Sequence, residues 1–109
     1  MNAAAHVLTD VSRGHHAPDF RLDATSGTRL AGADRWSISS RTLRGGVSEG
    51  VEVVRIDNGR LWVEVLPTRG MGLWRAACDG VELGWDSPVA RPVNPAFVDL
   101  NDRGGLGWL

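Results

Sequence analysis

The chain has 109 residues, room for one small domain, and its 12 basic residues against 13 acidic ones give a formal charge of −1 at pH 7. The basic residues are all Arg, and no basic excess or stripe of the kind nucleic-acid binders show is present. One cysteine, Cys78, excludes an internal disulfide framework, and no apolar run approaches the roughly 18 residues a membrane helix needs.

Residues 1–34 are rich in Ala, Ser, Thr, Gly, Asp and Arg and show no sustained hydrophobic period. So few apolar side chains do not offset ordering entropy, and a flexible polar tail with at most one short strand is expected. Ala3, Ala4 and Ala5 are not framed by the basic region and apolar core of a secretory signal, so a cytoplasmic protein is expected. His6, His15 and His16 all fall in this tail, with no third ligand at useful spacing and no His-Glu-x-x-His, so no metal site is expected.

From Arg35 the pattern changes. Trp36-Ser37-Ile38-Ser39 alternates as a strand does, and Gly45-Gly46 marks a turn. Val51 to Ile56 and Leu61 to Leu66 flank Asp57-Asn58-Gly59-Arg60, a strong hairpin signal because Asn-Gly tolerates the positive φ of a two-residue type I′ turn. With Asn58 and Gly59 as the loop, Ile56 faces Leu61, Arg55 faces Trp62, Val54 faces Val63 and Val53 faces Glu64. Val54, Ile56, Leu61, Val63 and Val65 then share one face, expected to be the core face, while Arg55 and Trp62 make a cation–π pair on the other.

A second hairpin is expected around Asp79-Gly80, pairing Ala76 with Leu83 and Trp74 with Trp85. Pro88, Pro92 and Pro95 predict an extended loop, and Ala96 to Leu100 a further short strand. Five aliphatic side chains on the hairpin's apolar face are worth roughly 8–15 kcal/mol if covered. Fixing about 16 backbone residues costs roughly 16–32 kcal/mol, so cover from elsewhere is required. That cover is expected beyond Leu109, which makes residues 35–109 an incomplete, marginally stable part of a β-sandwich.

Chemistry-bearing residues are sparse. Arg69 and Arg103 each precede Gly, whose backbone freedom lets a planar guanidinium aim into a cleft at sugar hydroxyls or a carboxylate; the alternative is that they hold turns together. Trp108 offers a face for a sugar ring to stack on, against a core role. Glu82, Asp86, Asp99 and Asp102 sit beside turn signals, where carboxylates commonly cap backbone N–H groups. The Gly-rich stretches at 69–72 and 104–107 lack a P-loop's Lys and Ser/Thr, and no Gly-x-Ser-x-Gly elbow occurs.

Four segments in order resemble the opening of a known family: the Val51–Leu61 hairpin, Leu66-Pro67-Thr68-Arg69-Gly70-Met71-Gly72-Leu73, Gly84-Trp85-Asp86-Ser87-Pro88, and residues 95–109. Over about Trp36 to Leu109 the chain resembles an uncharacterised family of aldose 1-epimerase-like proteins of the galactose mutarotase-like superfamily. The resemblance implies an all-β fold of antiparallel hairpins, the N-terminal portion of a large β-sandwich that binds a monosaccharide or sugar derivative in a cleft. It implies no cofactor. It also implies that an anomer-interconverting carboxylate and histidine lie further along the family pattern, so no catalytic residue is assigned here and Arg103, Trp108 and Arg69 are the substrate-binding candidates. A non-catalytic sugar-binding module, or a structural domain that self-associates through exposed strand edges, are the alternatives.

Overall fold

The computed structural model describes residues 5–17, 19–26, 34–84, 86–99 and 101–102. Strands β1 (Thr9–Asp10) and β2 (His15–His16) form a small hairpin. Strands β3 (Arg21–Asp23), β4 (Ser37–Thr42), β5 (Glu52–Asp57), β6 (Leu61–Leu66), β7 (Gly72–Cys78) and β8 (Val81–Leu83) form an antiparallel meander, each hydrogen-bonded to the next in chain order. Among the described residues every helical segment is a three-residue 3-10 turn, and no helix is long and apolar enough to cross a membrane.

The sheet begins inside the segment read from the sequence as polar tail. Leu22 pairs with Ile38, and Ser40 donates its amide to the Phe20 carbonyl at 2.8 Å, so β4 recruits the upstream chain through backbone bonds that composition does not reveal.

The central hairpin forms with its turn moved by one residue. Asp57 pairs with Trp62 and Asn58 bonds the Leu61 carbonyl, which makes Gly59 and Arg60 the two central residues. Only Gly59, at φ +95°, is left-handed, the pattern of a type II′ turn rather than the expected I′. The Asn58 side chain holds this turn by accepting from the amides of Arg60 and Leu61, and Asp57 accepts from Gly59. Pairing moves by two residues, so every side chain keeps its expected face while its partner changes: Arg55 and Glu64 are opposite each other, as are Ile56 and Val63.

The second hairpin has the expected register. Cys78 pairs with Val81 and Ala76 with Leu83 across Asp79-Gly80, both at positive φ. Trp85 lies outside the described residues. Residues 96–99 do not form the expected strand: Asn94 accepts from the Ala96 amide and caps a 3-10 turn at Pro95–Phe97, where proline at the first position removes a ladder donor.

The two faces of the sheet differ, and the apolar face lies mostly without cover among the described residues, as the shortfall of covering elements predicts. Val54, Ile56, Val63 and Val65 share a face with Leu22, Ile38, Leu73, Ala76, Cys78, Val81 and Leu83, yet none of these is buried; Leu73 is 73% exposed. The buried cluster, Val51, Val53 and Leu66 with Leu43 and Trp74 against it, belongs to the opposite side and its adjoining loop. The physical reason is cover. Among the described residues only the β1–β2 hairpin reaches the apolar face, at the Glu52 end, where His16 Nε2 lies 3.5 Å from Glu52 Oε1. The other side is covered by its own long side chains, while residues 86–99 run along the loops at one end of the sheet, where Pro92, Val93 and Asn94 bond to Ser48, Arg69 and Glu49.

Candidate functional site

The second face carries the charge. A one-residue bulge in β7, with Trp74 as the extra residue between the pairs Glu64–Arg75 and Val65–Leu73, places Leu73 on the apolar face and Arg75 on the other. Without that bulge Leu73 and Arg75, two apart, would share a face. The bulge thereby completes a row across three strands, Arg55 (β5), Glu64 (β6) and Arg75 (β7), with Arg41 of β4 reaching in diagonally.

Glu64 is 1% exposed, the most deeply buried charged residue described. Its Oε2 accepts from Arg41 Nη1 at 2.6 Å, and its Oε1 lies 3.9 Å from Arg75 Nη1 with no hydrogen-bond partner. Arg75 in turn donates to Glu82 at 3.0 Å. The Arg55 guanidinium lies over the Trp62 ring at 3.9 Å, the cation–π contact expected from the sequence, and Arg75 approaches the same ring at 5.6 Å. A buried carboxylate thus ties down two guanidiniums, and an indole braces a third. Planar donors held this way suit oxygen-rich ligands, which they engage in pairs of parallel hydrogen bonds.

Arg69, half-buried, ends the 3-10 turn Pro67–Arg69, with Gly70 at φ +65° behind it. It donates to the Val93 carbonyl at 3.0 Å and so fastens the Pro-rich segment to the turn after β6. Arg103 and Trp108 lie outside the described residues. The histidines are not on the charged face: His15 and His16 form β2, His16 facing Glu52, and His6 packs against Phe20 at 5.3 Å between ring centroids. No group of three or more His, Cys, Asp or Glu suited to a metal occurs among the described residues.

Sequence reasoning passed over Arg41, Glu64 and Arg75. Their signal was present, as charged residues alternating with aliphatics within strands, but only the register shows that all three meet.

Comparison with known proteins agrees with this architecture. A family model described as "Domain of unknown function (DUF4432)" matches residues 48–109. The chain is similar to the crystal structure of a "putative aldose 1-epimerase" from Klebsiella pneumoniae subsp. pneumoniae, with 36% identity and a TM-score of 0.82. The similarity covers 94% of this chain and 27% of that protein, so the chain spans about a quarter of the solved relative. No curated protein matches. The all-β meander and this likeness establish the galactose mutarotase-like fold expected from the sequence.

Proposed function

This chain belongs to the DUF4432 family, and on that premise we propose that it is the N-terminal part of a cytoplasmic, carbohydrate-binding, aldose 1-epimerase-like protein. One observation carries the reading: 94% of the chain overlays a protein described as a "putative aldose 1-epimerase", at 36% identity, yet accounts for only 27% of it. The charged face of the sheet is the wall this chain gives to the sugar cleft. Its guanidiniums match the hydroxyl-rich edge of a monosaccharide, and Arg69, Arg103 and Trp108 are assigned to the same cleft on their chemistry. The exposed apolar face supports the same reading, since a β-sandwich packs a second sheet about 10 Å away on such a surface.

Anomer interconversion needs an acid and a base on one ligand. The described histidines are remote from the charged face, so the proton-transfer pair comes from the rest of the protein and residues 1–109 are inactive alone. Polarimetry of freshly dissolved α-D-galactose and α-D-glucose tests this. The product of the whole reading frame should accelerate mutarotation above buffer, and residues 1–109 alone should not. Acceleration by the short chain would refute its inactivity, and a stop codon directly after Leu109 would refute the larger parent. A whole-frame product that binds sugar without accelerating mutarotation would make it a sugar-binding module.

A further inference from the structure

The charges on this face of the sheet balance: Arg21, Arg41, Arg55 and Arg75 stand among Asp23, Asp57, Glu64 and Glu82. Recognition here rests on hydrogen bonds rather than on net charge. One pair stands apart. Glu64 is 1% exposed, and where stability alone is at stake a carboxylate taken so far out of water is better replaced by an apolar side chain. Its surroundings do not fully offset that burial. Oε2 accepts from Arg41, while Oε1 takes no hydrogen bond and has Arg75 no nearer than 3.9 Å.

What this carboxylate does achieve is the placement of Arg41. Arg41 crosses β5 from β4 to meet it on β6 and gives only Nη1 to the bond. Its Nε and Nη2 make no hydrogen bond among the described residues, and the side chain is 44% exposed. The neighbouring guanidiniums are engaged elsewhere, Arg75 with Glu82 and Arg55 against the Trp62 ring. Resting on the sugar-binding reading above, we infer that Arg41 donates to ligand hydroxyls in the cleft and that Glu64 is its positioning residue. An arginine already held in one geometry loses little side-chain freedom when a ligand arrives, so removing Glu64 weakens binding without removing a ligand contact.

Calorimetric titration of the whole-frame product with galactose and glucose tests this, alongside its thermal midpoint. Arg41→Met and Glu64→Leu should each weaken the better-bound sugar about tenfold or more. In the double variant the midpoint should return close to the parent's, since no buried charge is left unpaired, while affinity stays at the level of Arg41→Met. That split separates positioning from a purely structural role, in which stability and affinity recover together. Glu64→Gln keeps the shape and an acceptor for Arg41, so it should fold as the parent does and lose about threefold in affinity; it decides the matter if Arg41→Met does not fold. Recovery of affinity in the double variant overturns the inference. So does unchanged affinity in Glu64→Gln, or a loss in the double variant equal to both single losses combined. Each of these leaves the sugar-binding reading standing, whereas failure of the parent to bind either sugar overturns both.

Discussion

Arg41 and Glu64 form a lopsided pair: the two side chains meet at 2.6 Å, but the arginine side chain is 44% exposed and the carboxylate 1%. Removing one partner therefore has different consequences at each end. Arg41→Met leaves a buried carboxylate without its main donor, and with Arg75 at 3.9 Å as a partial substitute the expected loss is about 2–3 kcal/mol. Glu64→Leu frees an arginine that already reaches water and should cost about 1 kcal/mol. The double variant should return to within about 1 kcal/mol of the parent, since nothing buried is left unpaired. Urea denaturation of the four proteins measures this; equal single losses would mean that Glu64 is not dry.

The apolar face predicts the solution behaviour of residues 1–109. Leu73, Val81 and Leu83 lie together on one face of β7 and β8, all more than half exposed, with β8 an edge strand. The isolated chain should self-associate, since such a surface is both sticky and capable of edge pairing. Leu73→Glu with Val81→Glu should raise the monomer fraction in light scattering after size exclusion without loss of strand signal in circular dichroism. A parent chain that is monomeric at tens of micromolar would contradict the account.

Two glycines in hairpin turns separate backbone strain from crowding. Gly80, at φ +79°, has no atom within 4 Å of where a Cβ would sit, so Gly80→Ala should cost about 1 kcal/mol from the left-handed backbone alone. Gly59 combines φ +95° with a Cβ position 3.0 Å from the Arg35 carbonyl oxygen, and Gly59→Ala should cost at least about 1 kcal/mol more. Thermal unfolding of both variants ranks them, and a reversed order would show that the Arg35 backbone yields freely.

These cases indicate what was legible in the sequence. Asp79-Gly80 announced its turn and register because two consecutive residues at positive φ leave few alternatives. Asn58-Gly59 announced a hairpin but not its register, because side-chain bonds from Asp57 and Asn58 decide which pair is central. The charged face was illegible for a related reason. The β7 bulge at Trp74 has no local signature, yet it sets Arg75 opposite Glu64. Alternation shows which residues share a face, whereas cover depends on other chain segments, so the buried cluster of Val51, Val53 and Leu66 was not foreseen. Arg103 and Trp108 lie outside the described residues and stay assignments on chemistry alone.

Strong acid should loosen the rim of the sheet. Asp23 accepts from the Thr25 hydroxyl and amide and from Arg21, and these bonds, the hydroxyl foremost, hold its carboxyl below the usual range. At Glu49 the Gly45 amide, then Arg44, does the same. A carboxylate whose folded pKa lies below its unfolded value adds stability above the unfolded value, near 4, and that contribution fades as pH falls through the folded one. The thermal midpoint should therefore drop below about pH 4, with NMR showing Asp23 and Glu49 among the last carboxylates to protonate. Thr25→Val removes the largest cause and should move the Asp23 titration upward while Glu49 stays put, because the two residues share no partner. A joint shift of both would mean that the variant disturbs β3 and β4 as a unit rather than one hydrogen bond.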